Sequence, residues 1–516
     1  MKRKLYTTFA AIHLGSEMIS MQITEYRSID VFKVVERCNR RIRLGEATFK
    51  NKVIPYNLVN EICEILYGFK MLMEEFGVEE YTLQATTAVR EARNQIFLLD
   101  QIYSRTGLVV DVVDMPQEIY TKYVAIRNTL KNEKISSDRD GMLMMDISSG
   151  GLGITMIQDD KIKYQENFHV GIIRVKESFS RNRRESMHFN KALTEFLSST
   201  VGPVRSELKQ ESVHYMVLSG TETELLMKML GREERQRVHR IKAEDFHEFF
   251  KKIRQFNLAQ LIKVYDIPEH VAELVLPTIL LYEQLLNLIP AEEIIITADR
   301  FIDGMQLLHI GRKTSPELRR SWEQELISLF HSIGEHYNFD KKHAQQVERM
   351  ALYIFDKVAK DFGMGAHERL LLRGACLLHD VGKYLCMRSH SIYTYQLIMA
   401  TDIIGFSEWD KQIIALTAYY HANKLFDESN KRAPVVEKAQ IALVAKLAAI
   451  LRLADAMDRS YQQKIRSCSI SIKDNTMTIT AECKQDLALE LWTFEDKSAF
   501  FEEVYGIEPI LERVKQ

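Results

Sequence analysis

The stretch MLMMDISSGGLGITMIQ (142–158) reads as a strand, a tight turn of small residues and a second strand. A related stretch, AAIHLGSEMISMQI (10–23), stands near the start of the chain. Small residues leave the backbone N–H groups of such a turn accessible, and these groups can bind an anion. The chain therefore carries two candidate phosphate-binding turns, which indicate phosphoryl chemistry and a duplicated α/β architecture.

The two copies differ near the end of the first strand. The second copy brings Asp146 to the mouth of its turn, whereas the first copy has His13 at the equivalent place. A carboxylate beside a phosphate-binding turn can hold a divalent ion that bridges phosphate oxygens; the alternative for Asp146 is a capping role. We expect these small residues of the two turns to contact phosphate: Gly15, Ser16, Ser148, Ser149, Gly150 and Gly151.

Length and composition are typical of a soluble protein with several domains. The 516 residues are 46% hydrophobic and 27% charged, and a chain of this length exceeds one core. The net charge of −2 argues against a general nucleic-acid-binding role, which usually shows a basic excess. No apolar run approaches the length of a membrane span, and the early run that breaks at His13 predicts a first strand and not a signal peptide.

The cysteines form no CxxC pair and are scattered along the chain. This pattern is more typical of reduced thiols in a cytoplasmic protein than of a disulfide framework. The six residues are Cys38, Cys63, Cys376, Cys386, Cys468 and Cys483.

Hydrophobic periodicity predicts alternating strands and helices up to about residue 310. Helical spacing covers residues 57–77, and the predicted strands after it are YTLQATTAV (81–89), a buried GLVVDVVD (107–114), YMVLSGT (215–221) and EEIIITA (292–298). Residues 318–460 are predicted to be helical almost throughout. The alternating residues 467–482 predict a two-stranded hairpin, followed by a last helix around SAFFEEVYG (498–506).

These segments, in this order, resemble the exopolyphosphatase/guanosine pentaphosphate phosphatase (Ppx/GppA) family. The matching segments are AAIHLGS (10–16), RLGE (43–46), ATTAVREARN (85–94), VVDMPQEIYTKY (112–123), MLMMDISSGG (142–151), GIIRVKESF (171–179), LSGT (218–221) and IIITADRFIDGM (294–305). The resemblance implies an α/β fold of two actin-like (ribonuclease H-like, ASKHA) domains, an all-α HD-type domain and a small α+β C-terminal segment. The implied boundaries are 1–135, 136–312, 313–462 and 463–516.

The resemblance also implies roles for residues of the cleft between the two actin-like domains. Glu118 matches the family's general base, which orients or deprotonates a water for in-line attack on phosphorus. Its alternative is a solvated residue in the first turn of a helix. Arg90 and Arg93 would carry phosphate charge, or lie on a solvated helix face, and Asp146 would hold a divalent ion such as Mg or Mn. Gly220 and Thr221 of LSGT would contact phosphate.

Some positions depart from the family pattern. The family has Asp where this chain has His13, two glycines where it has Ser148 and Ser149, and an acidic residue where it has Gly153. The loss of carboxylates is expected to weaken binding of Mg²⁺, which prefers oxygen ligands.

The helical section carries a second metal pattern. HD-type phosphohydrolases bind metal through a histidine, a His-Asp pair and a distal aspartate, and the matching residues here are His343, His379, Asp380 and Asp455. His390 and His421 would complete a binuclear site, and Lys383 would contact a phosphate. Imidazole and carboxylate ligands suit Mn, Fe or Zn. The alternative is a set of satisfied polar groups in helix packing.

Three functions follow from these patterns. The first is an exopolyphosphatase-like phosphoanhydride hydrolase that releases terminal phosphate from inorganic polyphosphate or guanosine penta- or tetraphosphate, with Glu118 as the base. The second is a metal-dependent phosphohydrolase of the HD-type domain with a non-catalytic cleft. The third is a non-catalytic sensor of polyphosphate or an alarmone. The resemblance further implies a homodimer without membrane or nucleic-acid partners.

Overall fold

The structure, a computed structural model, divides the chain into two units, residues 1–322 and 323–516. The finer division at residues 135, 312 and 462 stays a prediction. The structure describes residues 6–137, 141–148, 150–178, 189–204, 208, 213–220, 223–231, 236–422 and 434–514. Within these ranges, every helix falls short of the length or the apolar character that crossing a bilayer requires. All six cysteines are free thiols, as predicted.

The first sheet contains five strands in the order β3-β2-β1-β4-β5. Their bounds are Thr7–Leu14 (β1), Met18–Ser28 (β2), Val31–Arg41 (β3), Glu80–Ala85 (β4) and Asp111–Val112 (β5). Strand β1 pairs antiparallel with β2 and parallel with β4. The first predicted hairpin is therefore confirmed.

The second sheet contains six strands in the order β10-β11-β9-β6-β7-β8. Their bounds are Met142–Ile147 (β6), Leu152–Gln158 (β7), Lys161–Phe168 (β8), Tyr215–Gly220 (β9), Val238–Lys242 (β10) and Glu293–Thr297 (β11). Strands β8-β7-β6-β9-β11 repeat the arrangement of β3-β2-β1-β4-β5, with an antiparallel pair followed by a parallel neighbour. The repeat confirms the second hairpin and supports the predicted duplication.

The register of the two hairpins places His13 and Asp146 at equivalent positions. His13 is the penultimate residue of β1 and lies opposite Ser20, while Asp146 is the penultimate residue of β6 and lies opposite Gly153. The two hairpins therefore carry different side chains, an imidazole and a carboxylate, at the same position of their first strands.

Helices cover both faces of β1, which explains why its apolar residues run almost without interruption. Ala10, Ile12 and Leu14 belong to one hydrophobic cluster, while Phe9 and Ala11 belong to another. The helices of the first unit are Leu44–Asn51 (α1), Tyr56–Glu75 (α2), Thr87–Arg90 (α3), Gln95–Thr106 (α4), Met115–Asn132 (α5), Ile172–Ser178 (α6), Phe189–Val201 (α7), Thr223–Met229 (α8), Ala243–Ile253 (α9), Leu258–Tyr265 (α10), Glu269–Leu288 (α11) and Phe301–Thr314 (α12).

Helices α5 and α12 cross at very short range. A Cβ atom built on Gly304 of α12 would lie 1.9 Å from the backbone oxygen of Thr121 in α5. Only a residue without a side chain allows this approach. The crossing fixes the helix that carries Glu118.

The second unit is mainly helical and ends in a small sheet. Its helices are Pro316–His336 (α13, which begins in the first unit), Lys341–Val358 (α14), Ala366–Leu378 (α15), His390–Ala400 (α16), Glu408–Tyr420 (α17), Lys438–Ala456 (α18) and Ala488–Tyr505 (α19), with a 3₁₀ turn at Val381–Tyr384. Strands Ser467–Lys473 (β12) and Thr476–Glu482 (β13) form the predicted hairpin. Strand Glu508–Val514 (β14), which was not predicted, adds to β13 in parallel.

The prediction of a buried strand over residues 107–114 is wrong. Only Asp111–Val112 is a strand, it lies at the edge of the sheet, and Val109 is 63% exposed. A run of valines predicts a central strand that is buried on both faces. Strand β5 instead lies at the edge of its sheet, where it pairs with one neighbour only.

We predict that Gly304→Ala lowers the free energy of unfolding by about 2 kcal/mol or more, because the added methyl group forces α5 and α12 apart. Chemical denaturation of the purified variant measures this change.

Gly68→Ala is the matched control. Gly68 also lies within a helix, α2, but a Cβ atom there has no neighbour within 4 Å. Alanine should leave stability unchanged or raise it by up to about 1 kcal/mol, because it favours helix more than glycine does. Equal effects of the two substitutions would contradict the close approach.

Candidate functional site

A cavity of about 290 Å³ lies between the ends of the two hairpins and is called the cleft from here on. Its lining combines residues of both turns with residues of α5 and of the segment after β11. Among the residues that line it are His13, Gly15, Ser16, Thr86, Thr87, Glu118, Lys122, Ser148, Gly220 and Asp299. Of the predicted cleft residues, the lining thus brings together Gly15, Ser16, Glu118, Ser148 and Gly220.

The two turns use part of their own hydrogen-bonding capacity. The Gly15 amide donates to the backbone oxygen of Met18 at 3.0 Å, and the Ser148 amide donates to that of Gly151 at 2.8 Å. Within the described part of the chain, the amides of Ser16 and Gly150 have no such partner. These two N–H groups are therefore the better candidates for binding an anion.

Close packing requires glycine in the second turn. A Cβ atom on Gly150 would lie 2.3 Å from Cγ2 of Thr87, and one on Gly220 would lie 2.1 Å from the backbone oxygen of Ile147. Gly220 also has a φ of +134°, which L side chains rarely adopt. Two predicted phosphate-binding residues, Ser149 and Thr221, lie outside the described residues.

Glu118 lies in the first turn of α5 and is buried at the wall of the cleft. Its Oε2 accepts a hydrogen bond from Thr87 Oγ1 at 3.2 Å and from Arg90 Nη1 at 3.4 Å. Both donors contact the same oxygen, so Oε1 is the atom that can accept a proton from a water molecule. The carboxylate is held in place at the start of a helix, where negative charge is favoured.

Asp146 forms an ion pair that the sequence analysis missed. Lys122 Nζ lies 2.9 Å from Oδ2 and 3.2 Å from Oδ1 of Asp146, and Ser219 Oγ donates to Oδ1 at 2.9 Å. Lys122 follows Glu118 by four residues, a spacing that places both side chains on one face of α5. That spacing was the available signal for a role of Lys122 in the cleft.

His13 is neutral at physiological pH. Burial, together with the nearby charge of Lys122, lowers the pKa of His13 to about 3. Its Nε2 lies 3.2 Å from Thr86 Oγ1, and its ring lies 4.6 Å from the ring of Phe301. A neutral imidazole supplies none of the negative charge that an aspartate would bring.

The two predicted phosphate-binding arginines have different surroundings. Arg90 binds the backbone oxygen of Val113 at 2.6 Å in addition to Glu118, so it positions the base and the start of α5. Arg93 is exposed and does not line the cleft. The arginine at the second turn is Arg174, which donates to the backbone oxygen of Gly150 at 3.0 Å and pairs with Glu91.

Asp299 is a second residue that the sequence analysis missed. It lines the cleft after β11 and accepts a hydrogen bond from Thr129 Oγ1 at 2.7 Å. Burial raises the pKa of Asp299 to about 6. Its other oxygen, Oδ2, is buried and has no hydrogen-bond partner among the described residues.

The side chains of the cleft do not fit a divalent metal. Both oxygens of Asp146 contact Lys122, and a Cβ atom on Gly153 would lie 2.8 Å from Cδ1 of Ile119, so Ile119 fills the space of a side chain there. In the described part of the first unit, no three histidine, cysteine or acidic side chains converge as metal ligands would. A hard cation such as Mg²⁺ needs several oxygen ligands.

The predicted metal residues of the second unit do converge. His343 Nε2 lies 3.3 Å from Oδ1 of Asp455 and 3.9 Å from Oδ2 of Asp380, while His379 Nε2 lies 3.5 Å from the same Asp380 oxygen. His390 Nε2 lies 3.5 Å from the other oxygen of Asp380. Two groups that could each hold an ion share Asp380: His343 with His379, and His390 with His421.

Each histidine of this cluster is oriented through its other ring nitrogen. Nδ1 of His379 faces the backbone oxygen of Cys376 at 2.7 Å, Nδ1 of His390 faces that of Met387 at 3.3 Å, and Nδ1 of His421 faces that of Ala418 at 2.5 Å. Nδ1 of His343 lies 2.9 Å from Oδ2 of Asp458. Such outer contacts turn Nε2 toward the centre of the cluster, as in protein metal sites.

Two of these Nε2 atoms support a metal-binding role directly. Nε2 of His343 and Nε2 of His379 are buried and have no hydrogen-bond partner among the described residues. Buried polar atoms rarely stay unsatisfied, because each costs about 1–3 kcal/mol. The donor set therefore fits a cation, and Asp458 is an outer residue that the sequence analysis did not identify.

The charges of the cluster are strongly coupled. Burial would raise the pKa values of Asp380 and Asp455, but the neighbouring histidines hold both far below their usual range. Burial opposes the charged form of His343, yet Asp455 and Asp458 raise its pKa to about 9. Burial and His379 lower the pKa of His421 to about 4. At neutral pH the cluster thus presents two ionised carboxylates beside a protonated His343 and a neutral His421.

Lys383 and Tyr461 lie at the edge of the cluster. The hydroxyl of Tyr461 donates to Oδ2 of Asp380 at 2.7 Å, its ring stacks on that of His343 at 3.7 Å, and Lys383 contacts both Asp380 and Tyr461. Gly382 is required beside them, because a Cβ atom there would lie 2.0 Å from the backbone oxygen of His390.

Two of the known proteins that are similar to this chain in sequence are phosphatases or pyrophosphatases by name. A guanosine-5'-triphosphate,3'-diphosphate pyrophosphatase from Photobacterium profundum is 21% identical over 484 residues, which cover 92% of this chain and 91% of that protein. A bifunctional 3-dehydroquinate synthase/phosphatase from Fusobacterium nucleatum is 20% identical over 181 residues. That match covers 34% of this chain and 27% of the relative, so the chain spans about a quarter of its length.

Similarity of structure identifies the fold. An exopolyphosphatase from Cytophaga hutchinsonii superposes with a TM-score of 0.52 at 17% identity, covering 59% of this chain and 98% of the other. The actin-like, ASKHA-type fold is thereby confirmed. A sequence model of the Ppx/GppA phosphatase family matches residues 22–305, more than half of the chain, and a model of the family's domain III matches residues 328–497. The chain belongs to the Ppx/GppA phosphatase family, whose members are phosphohydrolases.

Proposed function

We propose that the protein is a phosphoanhydride hydrolase that releases the terminal phosphate of inorganic polyphosphate or guanosine pentaphosphate in the cleft. The observation that carries the proposal is Glu118, a buried carboxylate fixed through one oxygen at the wall of a cavity lined by both turns. Family membership and the named activities of the relatives support the same reaction.

Glu118 acts as the general base in this proposal. Its Oε1 takes a proton from a water molecule, whose oxygen attacks the terminal phosphorus in line with the bridging oxygen. The bond from phosphorus to that bridging oxygen breaks, the shortened chain keeps the electron pair, and inorganic phosphate leaves. Thr87 and Arg90 keep the carboxylate oriented, because both bind its Oε2.

The turns hold the terminal phosphate for this attack. The amides of Ser16 and Gly150 have no partner among the described residues and lie in the two facing turns, where phosphate oxygens accept hydrogen bonds well. Lys122 lines the same cavity with a positive charge. Positioning and charge stabilisation are the main requirements of phosphoryl transfer.

A second candidate function is supported by the cluster of the second unit, in which a metal-dependent site hydrolyses a phosphate ester. His343, His379, Asp380 and Asp455 would hold the metal, and His390 and His421 would hold a second one beside Asp380. Such metals activate a bound water at neutral pH and polarise phosphoryl oxygens. Lys383 would bind the phosphate of the substrate in this function.

We predict that Glu118→Gln lowers the rate of phosphate release from polyphosphate or guanosine pentaphosphate by about 100-fold or more, because the amide cannot accept the proton. The control is Glu133→Gln at the exposed end of α5, which should keep the rate of the unmodified protein. Colorimetric phosphate release with each substrate, with Mg²⁺ and Mn²⁺ compared, measures both.

The double variant His379→Ala/Asp380→Ala separates the two candidates. If Glu118→Gln keeps its turnover and the double variant loses it, the active site lies in the second unit and not in the cleft. Ligand binding without turnover in any metal would instead leave a sensor of polyphosphate or an alarmone.

We predict that the second unit binds Mn²⁺ or Zn²⁺ and that His343→Ala/His379→Ala abolishes this binding, because two buried ligand atoms are removed. Metal content after dialysis, measured by mass spectrometry, and the thermal shift on metal addition test it. His336→Ala, an exposed histidine of the same unit, is the control and should retain the metal. Equal metal content in all three proteins would refute the site.

A further inference from the structure

The contact between Lys122 and Asp146 occupies the place at which the cleft would hold a cation. Lys122 Nζ lies within 3.2 Å of both carboxylate oxygens, and the side chains of Lys122 and Asp146 are only 12% and 9% exposed. A divalent ion bound by either oxygen of Asp146 would compete with Lys122 for that oxygen. Ammonium and metal would also repel each other at this range, since both are positive.

The other side chains of the cleft do not assemble a metal site around Asp146. His13, at the position equivalent to Asp146, is neutral, and Glu118 is paired with Arg90. Ile119 fills the space beside Gly153. Glu17 and Asp299 also line the cleft, but in the described part of the first unit no three acidic, histidine or cysteine side chains converge as metal ligands would.

We propose that the ammonium group of Lys122 replaces the divalent metal of the cleft, so that binding of a phosphate-terminated ligand there does not depend on divalent cations. Lys122 lines the cavity, whereas Asp146 lies behind it and holds the ammonium in position. Asp146 is then a positioning residue. This inference rests on the proposed function in one respect, that the cleft takes a phosphate ligand.

The first test measures binding of imidodiphosphate, a phosphate pair that resists hydrolysis, by titration calorimetry. The full chain carrying His379→Ala/Asp380→Ala is used, so that metal in the second unit does not contribute. Equal affinity in EDTA and in excess Mg²⁺ or Mn²⁺ is the expected result. Binding that disappears in EDTA and returns with the metal would overturn the inference, while the cleft would still be a phosphate site.

The second test substitutes the lysine. Lys122→Met should weaken binding in EDTA by about tenfold, equivalent to about 1.4 kcal/mol, because a charge-assisted contact is lost. Added Mn²⁺ should restore part of that affinity, since both oxygens of Asp146 become available to a metal. A purely structural role would give no rescue by Mn²⁺. Lys131→Met at the exposed end of the same helix is the control and should bind as before.

The third test needs no phosphate ligand. Bound Mn²⁺, counted by mass spectrometry, should rise by about one ion per chain in Lys122→Met and return to the original value in Lys122→Met/Asp146→Asn. These counts use the full chain carrying His379→Ala/Asp380→Ala. If that chain already holds Mn²⁺ without substitution of Lys122, the inference is overturned, whether or not the other variants fold. Absence of imidodiphosphate binding under every condition would overturn the proposed function of the cleft, and the metal count would then decide the role of Lys122 separately.

Discussion

The cleft can bury its charged side chains only in pairs, because an isolated charge removed from water costs several kcal/mol. Helix α5 forms one such ion pair with each of two neighbouring elements, α3 and β6. Its Glu118 pairs with Arg90 from the first sheet's side, and its Lys122 pairs with Asp146 of β6. The close approach of Gly304 holds the same helix against α12. Alignment of the two turns thus depends on one helix and two ion pairs.

The second unit also buries carboxylates, but it places histidine side chains opposite them where the cleft has a lysine and an arginine. There, Asp380 and Asp455 face imidazoles whose outer nitrogens are fixed by backbone oxygens or by Asp458. Two inner nitrogens, on His343 and His379, have carboxylate neighbours but no hydrogen-bond partner among the described residues. The cleft is balanced by residues of the chain, while this cluster has donors that suit a cation from outside.

Local patterns predicted both hairpins and the long helices, because each depends on hydrophobic spacing or on a short motif. The convergence of His343, His379, Asp380 and Asp455 was expected from the resemblance to HD-type phosphohydrolases. The spacing of Lys122 from Glu118 was a signal for its place in the cleft, but its pairing with Asp146 of β6 is defined only by the fold. The short strand β5 was overestimated because its edge position depends on the order of strands in the sheet. Asp458 acts through His343 and is likewise defined only by the fold.

The register equivalence of His13 and Asp146 gives the first unit an internal pseudo-symmetry. Two identical turns would present the same groups on both sides of the cleft. A neutral imidazole on one side and a carboxylate with its ammonium on the other make the two turns chemically distinct. The divergence of the duplicated hairpins therefore leaves one turn neutral and gives the other a fixed charged pair, so the two sides of the cleft are not interchangeable.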